Sequence, residues 1–202
     1  MQGAALTRIL PTVPALREVL QLHTGMACTV DSPSLAMLLL AGPSHAGEWS
    51  AVVGVPDFGV EAAAGFGVDL DRTLLVPAPG EHWLSVAAGL VEITSVVLLK
   101  PPAEVPAAQA ARFSSRLRQK DALLITWGSW PRAHLHLHEE SSRWQGLGRG
   151  HGRLVGRELT FTVSSATSAP QTLTVELSDA GREATRTGTR DSLAAVPLTR
   201  AG

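Results

Sequence analysis

The stretch that most constrains the fold runs from Glu48 to Lys100, where apolar runs of strand length alternate with segments at helical spacing. Ser50-Ala51-Val52-Val53-Gly54, Leu74-Leu75-Val76 and Val96-Val97-Leu98-Leu99 read as three buried strands, and Gly59 to Gly67 and His82 to Leu90 read as the helices between them. Strands this uniformly apolar are buried on both faces, and only crossing helices can cover both. The pattern therefore predicts an α/β fold with a mostly parallel central sheet flanked by helices.

The rest of the chain extends this unit. Met26 to Val30 reads as the first strand, and Asp31-Ser32-Pro33-Ser34 as a helix start with a capping side chain and a proline in the first turn. Leu35, Leu38, Leu39 and Leu40 carry that helix to Gly42-Pro43, which is expected to end it. Ala107 to Gln119 forms an alanine-rich helix, with Arg112, Arg116 and Lys120 in a row along one face. Ala122 to Thr126 is the next strand, and Ala133 to His138 alternates as a further one. Trp144 to Gly152 is expected at the turn of an antiparallel hairpin, and Thr172 to Leu177 is an edge strand, so the sheet gains an antiparallel C-terminal extension. Val13 to Leu22 predicts a short amphipathic helix. The expected organisation is an N-terminal extension over residues 1–24, a core over 25–178 and a flexible tail over 179–202.

The net charge of −1 hides an asymmetry: Met1 to Leu99 carries three Lys or Arg against nine Asp or Glu, and Lys100 to Gly202 fourteen against nine. An acidic partner would dock on the second half. Cys28 is the single cysteine, which rules out an internal disulfide and fits a reducing cytoplasm. Neither a secretory leader nor an apolar run of membrane-spanning length is legible. His134, His136 and His138 share a strand face, but the first and third are about 14 Å apart and cannot share an ion, so a polar face is the reading and no metal or other cofactor is expected. Arg143, Trp144, Arg149, His151, Arg153 and Arg157 gather around the hairpin, with Trp130 before it and Arg182, Arg186 and Arg190 in the tail. These are residue types enriched in partner contacts and in contacts to single-stranded DNA.

The strand and helix order, with Gly67-Val68-Asp69-Leu70-Asp71-Arg72 leading into one strand and Pro77-Ala78-Pro79-Gly80-Glu81 leaving it, resembles the core of the RecA recombinase family over roughly residues 25 to 178. Length, Trp127-Gly128-Ser129-Trp130-Pro131 and the Trp144 to Gly152 segment resemble ImuA, the RecA-like accessory proteins of the bacterial mutasome, in their short actinobacterial form. The resemblance implies a nucleotide site, and the residues depart from it at three places. Asp31, Ser32, Pro33 and Ser34 stand where the family carries its phosphate loop, without the glycines and lysine that hold a polyphosphate. Pro56 stands where RecA has a catalytic glutamate, with Asp57 beside it as a conceivable substitute base. Lys100 stands where a Walker B strand ends in a Mg²⁺-binding aspartate. The loops that hold DNA in recombinases are cut to Trp127 to Pro131 and Pro101 to Glu104.

The resemblance thus implies a protein without ATPase activity that acts by association in damage-induced mutagenesis, binding an ImuB-like inactive Y-family polymerase relative and, through it, an error-prone C-family polymerase. It would be cytoplasmic and join the nucleoid after damage, with weak DNA contact and self-association both open. The alternatives are an inhibitor of cell division resembling SulA and a divergent P-loop ATPase.

Overall fold

The computed structural model describes residues 7–145, 156–178 and 184–191. In chain order the elements are β1 (Ile9–Leu10), β2 (Leu22–His23), β3 (Ala27–Val30), α1 (Pro33–His45), β4 (Ser50–Val53), α2 (Val60–Gly65), β5 (Thr73–Val76), α3 (Trp83–Leu90), β6 (Val96–Leu99), α4 (Ala107–Gln119), β7 (Leu123–Trp127), β8 (Leu135–Gln145), β9 (Gly156–Ser165), β10 (Gln171–Ser178) and β11 (Ala184–Asp191). Among the described residues one nine-stranded sheet runs β11-β10-β9-β8-β3-β7-β6-β4-β5. The pairs from β8 to β5 are parallel, and those from β8 to β11 antiparallel. The expected mixed sheet, mostly parallel at its centre with antiparallel strands at its C-terminal side, is the observed one.

The path of the chain distributes the helices. From β3 it steps outward past two strand positions to β4 and then β5, and from β5 it returns to β6 and β7. Crossovers of one hand then place the outward helices on one face and the returning helices on the other. Accordingly Leu35, Leu38 and Leu39 of α1 and Ala63 of α2 pack with Cys28, Val30, Val52, Leu98 and Ile125. On the other face Ala87 of α3 and Phe113 and Leu117 of α4 pack with Ala51, Val53, Val97, Leu99 and Leu124. Two apolar layers on one sheet explain why β3, β4 and β6 are buried at every position. Burial alone pushes the Cys28 thiol up to about 12, so it is an inert core group.

Three expectations are corrected. No α-helix spans Val13 to Leu22; the segment makes a 3₁₀ turn at Pro14–Leu16 between β1 and β2, which pair antiparallel. Its Leu16, Leu20 and Leu22 are buried in the α1-side layer together with Leu10, so the segment is part of the core and not an extension outside it. Helix α1 runs through Gly42 and Pro43 to His45. A side chain at Gly42 would put its Cβ 2.6 Å from the Pro11 carbonyl oxygen, so glycine is required where the N-terminal segment crosses the helix. Residues 184–191, expected in a flexible tail, pair with β10 as β11. No helix among the described residues is long and apolar enough to cross a membrane.

Candidate functional site

Parallel strands align their carboxyl ends, so the residues that follow β3, β7, β6 and β4 lie in that order along one edge of the sheet. The chain leaves β3 into α1 on one face, and leaves β7 toward Trp130, which belongs to the layer on the other face. Adjacent strands whose connections diverge in this way open the crevice where α/β proteins place ligands. Asp31 to Ser34 occupy that point.

Their polar groups are already engaged by the chain itself. The Ser32 hydroxyl caps α1 by accepting from the Leu35 amide at 3.3 Å. Asp31 Oδ1 accepts from the Glu139 amide at 2.9 Å, and Oδ2 is hydrogen-bonded to His138 Nδ1. Arg157, which enters from β9, donates from Nη1 to Ser34 Oγ at 2.6 Å, from Nη2 to Glu139 Oε1 at 3.2 Å and from Nε to Ser142 Oγ. Its guanidinium carbon lies 5.1 Å from the centre of the Trp144 ring, in cation–π range. The Arg157 and Glu139 side chains are only 20% and 19% exposed, so their pair is screened far less than a surface one. Glu139 Oε2 is buried and has no hydrogen-bond partner among the described residues.

A β-bulge makes this arrangement possible. In the β8–β9 ladder Glu139 pairs with Phe161, and after a register shift Ser141 pairs with Thr160, which leaves Glu140 as the extra residue. Strict alternation would turn Ser141 and Arg143 toward the face that carries Leu137 and Glu139. The bulge turns Ser142 and Trp144 there instead, opposite Leu159 and Arg157.

Farther along the edge, the Lys100 amide donates to the Val53 carbonyl at 3.0 Å, and Nζ lies 4.3 Å from the centre of the Trp127 ring. Gly54, in the left-handed region at φ +76°, lets the Lys100 carbonyl approach its Cα. Pro56 and Asp57 follow on the surface. The three positions singled out as a degenerate nucleotide site thus line one edge, and a polyphosphate at Ser34 would meet the Asp31 and Glu139 carboxylates and a hydroxyl held by Arg157.

The other candidates divide. Trp144 is 60% exposed over Arg157, and Arg143 is exposed on the opposite face of β8. Trp130 is buried, edge-on to Phe113 at 5.5 Å, and so is a core residue with no surface to offer a partner. Arg186 binds Glu18 and ties β11 to the 3₁₀ turn. Arg149, His151, Arg153 and Arg182 lie outside the described residues, and Arg190 lies in β11. The three histidines are engaged one by one across the β3–β8 pair: His134 Nδ1 accepts from the Ala27 amide at 3.1 Å, His136 Nδ1 is 2.8 Å from Thr29 Oγ1, and His138 meets Asp31. The described residues hold no group of three or more metal-ligating side chains. Glu139 and Ser142 were not singled out from the sequence, and His138 only as part of a polar strand face; their pairing with Arg157 and Asp31 depends on a register that no local pattern encodes.

The family described as the MT3502 N-terminal domain matches residues 15–132, more than half of the chain. The match takes in α1 to α4 and the strands β2 to β7, and stops just before β8. An uncharacterized protein of Mycobacterium tuberculosis, Rv3395c, is 39% identical over 99 residues. That stretch is 48% of each chain, so the similarity spans about half the length of the relative.

Proposed function

We propose, for a chain that belongs to the family of the MT3502 N-terminal domain, that it is a RecA-like scaffold which binds no nucleotide and acts by association with other proteins. The observation that carries the reading is the Arg157 guanidinium on the Ser34 hydroxyl at 2.6 Å. In a nucleotide-binding relative this hydroxyl would serve a metal ion, and a lysine from the same loop would serve the phosphates. Here the cation comes from β9, two strands away on the same face of the sheet, and is consumed by Ser34, Ser142 and Glu139. The adjacent Asp31 and Glu139 carboxylates oppose a polyphosphate, and Lys100 opposes the Mg²⁺ that would accompany it. A sheet edge whose Asp31, Ser32 and Ser34 are engaged by the chain itself fits a protein whose work is binding and not turnover.

By its resemblance to ImuA, the association we propose is with an ImuB-like inactive Y-family polymerase relative, in support of translesion synthesis after DNA damage. Two measurements test the reading separately. Calorimetric titration with ATP and Mg²⁺ should give no heat for the native protein and none for Arg157→Ala; micromolar binding to either would overturn the nucleotide-free scaffold. Co-purification with the ImuB-like protein should yield a stoichiometric complex, whereas capture of the cell-division GTPase in its place would assign the scaffold to the SulA-like alternative.

A further inference from the structure

The carboxyl edge is not the only concave surface. On the opposite face from α1, helices α3 and α4 border a groove of about 530 Å³. Leu84, Ala88 and Phe113 give it an apolar floor, and Arg112 and Arg116 stand on its α4 wall. Phe113 is buried and braced against Trp130, so the floor is backed by the core.

The two arginines are differently placed. Arg116 donates from Nη1 to the Ala88 carbonyl at 3.2 Å and lies 3.8 Å from Glu92, which pins it at the margin. Glu92 is claimed more closely by Lys120, at 2.6 Å. Arg112 is exposed, and has neither a hydrogen-bond nor an ionic partner among the described residues. Positions four apart on a helix are separated by about 6 Å along its axis, the spacing of two carboxylates one turn apart on a second helix.

We propose that this groove is the docking site for an acidic amphipathic helix of a partner protein, its apolar stripe on Leu84, Ala88 and Phe113 and its carboxylates on Arg112 and Arg116. Charge complementarity selects this occupant. A nucleic acid carries a phosphate at every residue and would set some of them against Glu81 at one end of the groove and Glu92 at its margin, whereas a helix can place its few carboxylates on the arginines alone. A nucleic acid would also find no exposed aromatic ring among the lining residues on which to stack a base. An uncharged apolar segment would leave Arg112 desolvated and unpaired. The inference does not rest on the nucleotide-free reading, because the groove and the carboxyl edge share no residue.

The test uses the full ¹⁵N-labelled chain and a synthetic helical peptide that carries two glutamates one turn apart beside leucines, with a matched peptide in which lysines replace the glutamates. The acidic peptide should bind saturably and shift the amides of Ser85, Ala88, Gln109 and Arg112, and the lysine peptide should not. Arg112→Glu should weaken the acidic peptide by about tenfold or more and confer binding of the lysine peptide. Ala88→Trp, which fills the groove without altering its charge, should abolish binding of the acidic peptide. The proposal is overturned by an absence of shifts at millimolar acidic peptide, by equal binding of the two peptides, by unchanged affinity in either variant, or by a single-stranded oligonucleotide that perturbs these amides and displaces the peptide.

Discussion

Arg157 shows how much of this protein is decided by a single side chain. Its guanidinium satisfies Ser34, Ser142 and one oxygen of Glu139, whose other oxygen already lacks a partner. Arg157→Ala should therefore lower stability by about 2–3 kcal/mol, the cost of leaving a largely buried carboxylate and two hydroxyls unpaired. Urea denaturation checks this, with the midpoint falling and the slope unchanged. Arg157→Lys should recover little, since one ammonium cannot reach three acceptors in a plane. A second residue contributes to the acid limit. The Arg8 guanidinium bonded to Glu48 holds that carboxyl below the usual carboxylate range, and the Ser95 hydroxyl helps while burial opposes. Because the folded value is depressed, the stabilisation is present above the unfolded pKa and is lost as pH falls through the folded one. Melting temperatures should fall below about pH 4.5 in the native protein, and Glu48→Gln should be less stable at neutral pH with a shallower acid limb. Arginine beside tryptophan was legible in the sequence as a binding signal. That Arg157 reaches Ser34, 123 residues away, was not, because only the completed sheet brings them together.

At the scale of elements, the apolar runs revealed β3, β4, β6 and β7 because burial on both faces leaves a composition that nothing else requires. Strand β5 was legible as a strand but is not the buried one expected, since it forms the edge of the sheet and leaves Leu75 45% exposed. Helix α4 was legible to its ends for a related reason: Ala110, Phe113 and Leu117 form a buried stripe, and proline precedes it. The failures have their own causes. Leucines over Val13 to Leu22 suggested one helical face, but the segment buries them through two short strands and a turn. Strand β11 escaped notice because its alternation is polar on both faces, and edge pairing asks only for backbone groups. The bulge in β8 escaped notice because a period-two pattern does not announce where it skips. It does yield a prediction. Deleting Glu140 removes the extra residue and joins the two registers, so Ser142 and Trp144 keep their facing and stability should change by less than about 1 kcal/mol. Deleting Ser142 leaves the bulge and turns Arg143 toward Arg157, at an expected cost above about 2 kcal/mol. Thermal melts of the two deletions, identical in length, compare them directly.

For the molecule as a whole, the sequence disclosed the class of architecture and the charge division between the halves, but not how closely the first and last described elements are tied together. The Arg186–Glu18 pair and the passage of Pro11 and Thr12 over Gly42 join the first and last described elements to the same layer. The position of β3 shows the same dependence. Its two neighbours are β7 and β8, with Ala27 beside Leu124 and Cys28 beside Leu135. A fragment that ends at Lys100 contains neither neighbour, and should show no cooperative unfolding by circular dichroism; a cooperative transition would mean that β3 pairs otherwise. The same geometry bears on biosynthesis. As the polypeptide leaves the ribosome, its earliest parallel strand waits, apolar and with both edges open, until nearly a hundred further residues have been made. For that interval the nascent chain presents the kind of sticky ribbon that chaperones bind, so the yield of this protein in a cell depends on who meets β3 before Leu124 does.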